Sequence, residues 1–310
     1  MMTNIPNIRT RDVATASEGS GKIDMSLCFH PRAVMYRVGL RTSPALTALI
    51  ATRAFSRTRL TPFSATHSLP LGSRLFSIDD PEVQYGYLWP GEGPTVLLIH
   101  GWSADSTSML SLVRPLLSSG FQVAAFDAPG HGASKGKYTT MTRFVQAGLQ
   151  AVASVGNVEF IVGHSLGAIV AVAVAARARQ ELQTSIRAMV TIAAPPSLAD
   201  VLEIWSSSKS QQLPRRLRDL IYARLHQDNG VPVSHWDIPA LSSDLRIPTL
   251  VMHDKSDSLI PFTYAEQLHK QLGSVFESFS GYGHSRILAS TEVKSKAVAF
   301  LLAHQKKQCS

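Results

Sequence analysis

Five residues, Gly163-His164-Ser165-Leu166-Gly167, carry the clearest chemical signal in this 310-residue chain. They follow the apolar run Phe160-Ile161-Val162 and open a helical pattern at Leu166. Glycines on both sides of a serine let the chain turn sharply from strand to helix, lifting the hydroxyl above the end of a sheet. The free amides and dipole at a helix N-terminus favour negative charge developing there. A serine needs a base to become nucleophilic, and the base needs an orienting acid. Among eleven histidines, His284 in Gly281-Tyr282-Gly283-His284-Ser285 lies between the last strand pattern and the last helical pattern, where it is expected to return over Ser165. The acid is expected in the loop His253 to Pro261, with Asp257 the first choice and Asp254 the second. The resulting chain order is serine, aspartate, histidine, one of the orders in which this constellation occurs. Two backbone donors must meet the oxyanion of an attacked carbonyl. The Leu166 amide is one. The other is expected from Leu97-Leu98-Ile99-His100-Gly101-Trp102, where Gly101 allows the turn that aims the Trp102 amide, and the Trp102 ring would line the substrate pocket.

These residues need a frame that brings strand ends together. From about Thr66, short apolar runs alternate with longer helical patterns, which predicts a doubly wound, mostly parallel α/β sheet flanked by helices. Strands are expected at Val83 to Leu88, Val96 to His100, Val123 to Asp127, Glu159 to Gly163, Ala188 to Ile192, Leu250 to His253 and Val275 to Phe279. Helices are expected at Met109 to Leu117, Met141 to Val155, Leu166 to Leu182, Tyr264 to Leu272 and Glu292 to His304. Residues 195–247 interrupt the alternation with two helical stretches, Leu198 to Trp205 and Arg215 to His226. Inserted beyond the carboxyl ends of strands, they would form a small helical lid, with Trp205 and Ile221 facing the substrate. The sheet core is then 66–194 together with 248–310.

Composition narrows the alternatives. The chain is 45% apolar and 17% charged, which excludes disorder of the whole chain. The net charge of +8 is concentrated: between Met25 and Ile78 there are seven arginines and no acidic residue, whereas Asp79 to Ser310 balance to +1. The body therefore has no basic field for nucleic acid. Residues 1–24 read as a flexible polar lead. Residues 25–65 read as a basic, acid-free arm with helix broken near Ser43-Pro44, either packed across the body or in weak contact with an anionic membrane surface. Cys28 and Cys309 can form at most one bridge, and free thiols in the cytoplasm are expected, with membrane association left open by the arm. Neither metal-ligand spacing nor a cofactor fingerprint is present, so catalysis is expected to need no metal and no cofactor. The oligomeric state is not legible.

Four elements in order, His100-Gly101-Trp102, Phe126-Asp127-Ala128-Pro129-Gly130-His131-Gly132-Ala133-Ser134, Gly163 to Gly167, and the Asp257 and His284 loops, resemble the α/β-hydrolase family, in particular bacterial members with an HGW oxyanion loop. The likeness covers roughly Thr66 to Ala303. One departure is Asp254, where many relatives carry glycine in a G-x-x-D-x-x-[VI]-P pattern, although the spacing from Asp257 to Pro261 is kept. The HGGG loop of many lipases is absent, and a serine at position 165 separates the chain from the dehalogenase and epoxide hydrolase branches, which use aspartate. The resemblance implies that Asp127 and His131 brace the floor of the site. His100 and His164 are expected to hold loops. The implied activity is hydrolysis of a small or medium carboxylic ester, its partner a small-molecule acyl substrate. Thioester, lactone or carbon-carbon bond hydrolysis is the enzymatic alternative, and a non-catalytic small-ligand-binding protein of the same fold is the alternative from another class.

Overall fold

The computed structural model describes residues 31–58, 70, 72–208 and 213–305. The expected flexible lead, both cysteines and parts of the arm lie outside the described residues. In chain order the elements are α1 (Pro31–Thr42), α2 (Pro44–Ser56), β1 (Arg74–Ser77), β2 (Tyr85–Trp89), β3 (Thr95–Ile99), α3 (Leu110–Ser118), β4 (Gln122–Phe126), α4 (Met141–Val155), β5 (Val158–His164), α5 (Leu166–Glu181) and β6 (Ala188–Ile192). They continue with α6 (Leu198–Ser207), α7 (Arg215–Asn229), α8 (Ile238–Ser242), β7 (Thr249–Asp254), α9 (Phe262–Leu272), β8 (Val275–Phe279), α10 (Gly283–Arg286) and α11 (Thr291–Ala303). The expected core elements fall within about three residues of these bounds. Strand β1 is the exception: its pattern, Arg-Leu-Phe-Ser, is too short and too exposed to carry a strand signal by itself, and it exists by pairing antiparallel with β2.

The eight strands form one sheet in the order β1-β2-β4-β3-β5-β6-β7-β8, parallel from β4 through β8 and antiparallel at β1 and β2. Strand β3 shows why the sheet needs two covering layers. All five of its residues are buried, and its side chains alternate between two cores. Leu97 and Ile99 pack with α4 and α5 residues such as Phe144 and Ile169, while Val96 and Leu98 pack with Leu112 of α3 and Leu301 of α11. From β3 the chain crosses through α3 to β4 on one side, and from β5 through α5 to β6 on the other. The loops leaving β3 and β5 therefore diverge, opening a crevice at the carboxyl ends of two adjacent strands, the position where such sheets take ligands.

Between β6 and β7 the chain builds α6, α7 and α8. The arm packs rather than hanging free: α2 lies against α7, and its buried side is small, made of Thr47, Ala48, Ala51 and Thr52. Beyond α2, the Thr58 hydroxyl donates to the Gly130 carbonyl, and Arg57 bridges to Tyr138, tying the arm to the loop after β4.

Burial predicts an uneven response to truncation. Leu97→Ala, in the central strand, should lower the unfolding free energy by about 2–5 kcal/mol. Leu75→Ala, 46% exposed on the edge strand, should cost no more than about 0.5 kcal/mol. Urea titrations of the two variants against the parent protein check the contrast.

Candidate active site

Ser165 sits between the last residue of β5 and the first of α5, with φ 53° and ψ −129°, a backbone conformation that residues with a β-carbon resist. Its amide donates to the Ile192 carbonyl of β6 at 2.9 Å, which fixes the turn to the neighbouring strand. The flanking glycines are needed for closeness. A β-carbon on Gly163 would lie 2.6 Å from the Gly167 carbonyl oxygen, and one on Gly167 would lie 2.3 Å from the His100 carbonyl oxygen. The same crowding appears from the other side, where a β-carbon on Gly101 would stand 3.0 Å from the Ser165 β-carbon. The loop after β3 is thus pressed directly against the serine.

The side chains of Ser165, His284 and Asp257 lie together. Ser165 Oγ lies 2.9 Å from His284 Nε2, and His284 Nδ1 lies 2.7 Å from Asp257 Oδ2. Ser165 and His284 are partly exposed, whereas the Asp257 carboxylate is enclosed. Burial opposes ionisation of Asp257, but His284 and the amides of Ile260 and Leu259 outweigh it and hold the carboxyl below its usual range. A carboxylate accepting from Nδ1–H leaves Nε2 bare and able to accept the serine proton.

The two aspartates of the loop divide the work. Asp254 does not face the imidazole. Its Oδ1 accepts from the Ser256 amide at 2.7 Å and its Oδ2 from the Tyr282 amide at 2.9 Å, so it ties the acid loop to the segment that delivers His284. Burial disfavours its charge, but the amides of Tyr282, Ser256, Gly283 and Gly281 hold its carboxyl below the usual range.

Four buried histidines surround the site. His100 Nε2 accepts from the Ala128 amide at 3.0 Å, so its Nδ1–H donates to the Gly101 carbonyl at 2.8 Å. His131 Nε2 accepts from the Ser103 amide at 3.1 Å, leaving Nδ1–H for the Pro129 carbonyl at 3.0 Å. These bonds pin both ends of the turn that carries Trp102. His164 Nε2–H donates to the His284 backbone carbonyl at 2.9 Å, and His253 Nε2–H to the Ile260 carbonyl at 3.0 Å. Burial pushes all four imidazoles down, His131 to about 3 and His164 to about 4. Asp127 plays a matching part, accepting from the amides of Ser106 and Ala133 and from the Tyr87 hydroxyl.

Leu166 heads α5, so its amide has no acceptor within the helix. The Trp102 ring is half-buried and stacks on Phe55 of α2, with ring centres 6.2 Å apart. Phe55 in turn meets Trp205 of α6 edge-on at 5.2 Å. Trp102 and Trp205 are therefore brought together, and the ring that joins them comes from the arm. Phe55 belongs to the apolar pattern of the arm, but nothing local tied it to the site, because its partners lie in two distant segments. Ile221 is placed differently from the expectation that it faces substrate. It is 1% exposed and lines a small, partly open cavity within the insertion together with Leu202, Trp205, Leu213 and Tyr222, so its side chain packs inside the insertion. Among the described residues no group of three or more His, Cys, Asp or Glu side chains is placed to share a metal ion.

Residues 96–295, more than half of the chain, match the model of the alpha/beta hydrolase family, and the chain belongs to that family. It is similar to the AB hydrolase superfamily protein YisY of Bacillus subtilis, at 21% identity over 67% of this chain and 91% of that protein. A shorter stretch, 34% of this chain and 39% of the relative, is 33% identical to a pimeloyl-[acyl-carrier protein] methyl ester esterase of Xanthomonas campestris. Among solved structures, the Pyrococcus furiosus esterase Pf2001 superposes with a TM-score of 0.57 at 20% identity, over 80% of this chain and 99% of that one. Est1E of Butyrivibrio proteoclasticus, solved with ferulic acid, gives 0.59 at 18% identity over 74% and 98%. These two likenesses concern the fold.

The neutral histidines predict a pH dependence of stability. Their folded pKa values lie below the unfolded value of about 6.5, so the unfolded chain binds more protons whenever the pH is under that value. For His131 and His164 the contribution is complete above about pH 6.5 and is lost as the pH falls toward 4, at roughly 1.4 kcal/mol per pH unit for each. His131→Gln should reduce the slope of unfolding free energy between pH 6.5 and 5 by about that amount. Urea titrations at pH 7, 6 and 5 would read it.

Proposed function

We propose that this protein is a serine hydrolase cleaving a small or medium carboxylic ester through an acyl-enzyme intermediate. The observation that carries the proposal is the unbroken hydrogen-bonded line from Ser165 Oγ through the His284 imidazole to the Asp257 carboxylate. In this mechanism Ser165 Oγ attacks the ester carbonyl as its proton passes to His284 Nε2. Asp257, already ionised, stabilises the imidazolium, and the amides of Leu166 and Trp102 receive the oxyanion. Collapse of the tetrahedral intermediate expels the alcohol, protonated by His284. Water then enters with His284 again as base, and the acid leaves from Ser165.

Two further observations support the proposal. The methyl ester esterase of Xanthomonas campestris is named for hydrolysis of a carboxylic ester, and its matched stretch is among the more similar ones. The turn of His100-Gly101-Trp102 is braced by two histidines whose tautomers are set by backbone donors, which supports reading it as the oxyanion loop. In the proposed pocket, Trp102, Phe55 and Trp205 form an aromatic wall, with α6 acting as lid. Each methylene buried against such a wall gains about 0.8 kcal/mol until the space is full. Turnover per unit of binding should then rise with acyl length, peak and fall.

Ser165→Ala should reduce ester hydrolysis by about 10^6 while the protein stays folded. Asp257→Asn should reduce it by roughly 10^4 by favouring the wrong tautomer of His284. Asp254→Asn places an amide NH₂ against a backbone donor and should cost only about tenfold, a loss on the scale of one hydrogen bond. Steady-state rates on p-nitrophenyl acetate, beside circular dichroism, rank the three, and a reversed order of the aspartates would reassign the acid.

Phe55→Ala and Trp205→Ala should each move the best p-nitrophenyl ester to a longer acyl chain. Ile221→Ala should leave the optimum in place and lower stability by about 2–4 kcal/mol instead. An unchanged optimum in both aromatic variants would remove the aromatic wall from the pocket.

A further inference from the structure

The packed side of α2 leaves the outer surface of α1 and α2 unexplained. Among the described residues twelve large apolar side chains are exposed, and five of them, Val34, Met35, Val38, Leu46 and Ile50, fall on these two short helices, each between 40% and 56% exposed. Their spacing is helical. Val34, Arg37, Val38 and Arg41 follow one stripe of α1, opposite the buried Tyr36 and Leu40. Leu46, Ile50 and Arg53 follow one stripe of α2, opposite the buried Ala48, Ala51 and Thr52. Arg37, Arg41 and Arg53 are themselves exposed, and no acidic residue occurs anywhere from Met25 to Ile78. An exposed apolar stripe set among cations, in a stretch of chain without acidic residues, is the pattern of a helix that lies in the headgroup region of an anionic bilayer.

Two other occupants fit the charge less well. A second copy of the chain would meet this surface through a two-fold axis, bringing arginines against arginines. The chain's own residues 1–30 carry Arg9, Arg11 and Lys22 against Asp12, Glu18 and Asp24, so they offer no net negative charge. From the exposed apolar side chains and the acid-free arginine cluster together we infer that the outer face of α1 and α2 is a docking surface for anionic phospholipid bilayers. The inference is independent of the ester chemistry, since it uses residues on the side of the arm facing away from Phe55's ring partners.

Sedimentation of the full chain with phosphatidylglycerol vesicles and with phosphatidylcholine vesicles at low salt tests it. The protein should sediment with phosphatidylglycerol, be released as salt rises through screening, and stay in solution with phosphatidylcholine. The triple variant Arg37→Gln, Arg41→Gln, Arg53→Gln should bind phosphatidylglycerol about a hundredfold more weakly, near fivefold for each charge. Val38→Ser with Ile50→Ser should also weaken binding while leaving circular dichroism unchanged, since both sites are exposed. No sedimentation of the full chain, equal binding to both lipids, or unaltered binding by either variant would overturn the inference. Loss of a dimer in the Val38→Ser, Ile50→Ser protein, seen by analytical ultracentrifugation in the absence of vesicle binding, would overturn it in favour of a second copy.

Discussion

A serine held at φ 53° costs on the order of 1–3 kcal/mol of backbone strain, and the middle of this molecule is arranged so that it cannot relax. The amide of Ser165 is bound to β6, and the first ten residues of the helix behind it are all buried. The Gly167 position touches the carbonyl of His100 so closely that no side chain fits between. That contact joins the loop after β3 to the turn after β5, two segments that diverge immediately afterwards. Everything placed at the site inherits its position from this junction. The Leu166 amide is fixed because α5 begins there, Trp102 because Gly101 lies on the serine, and His284 because it must meet Oγ from a third strand.

The support around the junction consists mainly of buried imidazoles and carboxyl side chains, each bonded to backbone. His100 and His131 use one ring nitrogen to accept an amide and the other to donate to a carbonyl, a pairing only the neutral ring can make. Asp127 and Asp254 do the complementary task, collecting backbone amides from the segments beside the site. Burying such groups is expensive unless their bonds are made, so each bond to backbone favours the observed loop path. Two ring nitrogens, Nδ1 of His164 and of His253, remain without a partner among the described residues. The backbone that carries His284 is held by His164 and Asp254, while Asp257 holds its imidazole.

What could be read from the residues was what is local. The turn at Ser165 announces itself because strand, glycines, serine and helix are adjacent in the chain, and α4 and β6 fall at their expected bounds because periodicity decides them. Asp257 and His284 were legible because loops following parallel strands share one end of the sheet. Phe55 was not legible, since α2 carries apolar residues on more than one side and nothing local says which of them meets Trp102. Ile221 was expected to face the substrate, and its burial inside the insertion was not legible because the helical pattern does not say which neighbour an apolar residue meets. The two aspartates of one loop, three residues apart, differ in role only through the path of the backbone, which places Asp254 under the amides of the next loop.

The order of the strands in the sheet differs from their order in the chain, and synthesis from the N-terminus makes this matter. β3 pairs on one side with β4, which follows soon after, and on the other with β5. At translation speeds of about 5–20 residues per second, the roughly 60 residues between Ile99 and Val158 take several seconds to appear. During that interval one edge of the most apolar strand in the molecule stands open, and the helix that will cover one of its faces has not been made. The nascent chain therefore passes through a stage at which its future core is a bare strand edge, and its yield in a cell depends on how well that edge is shielded until β5 and α5 arrive.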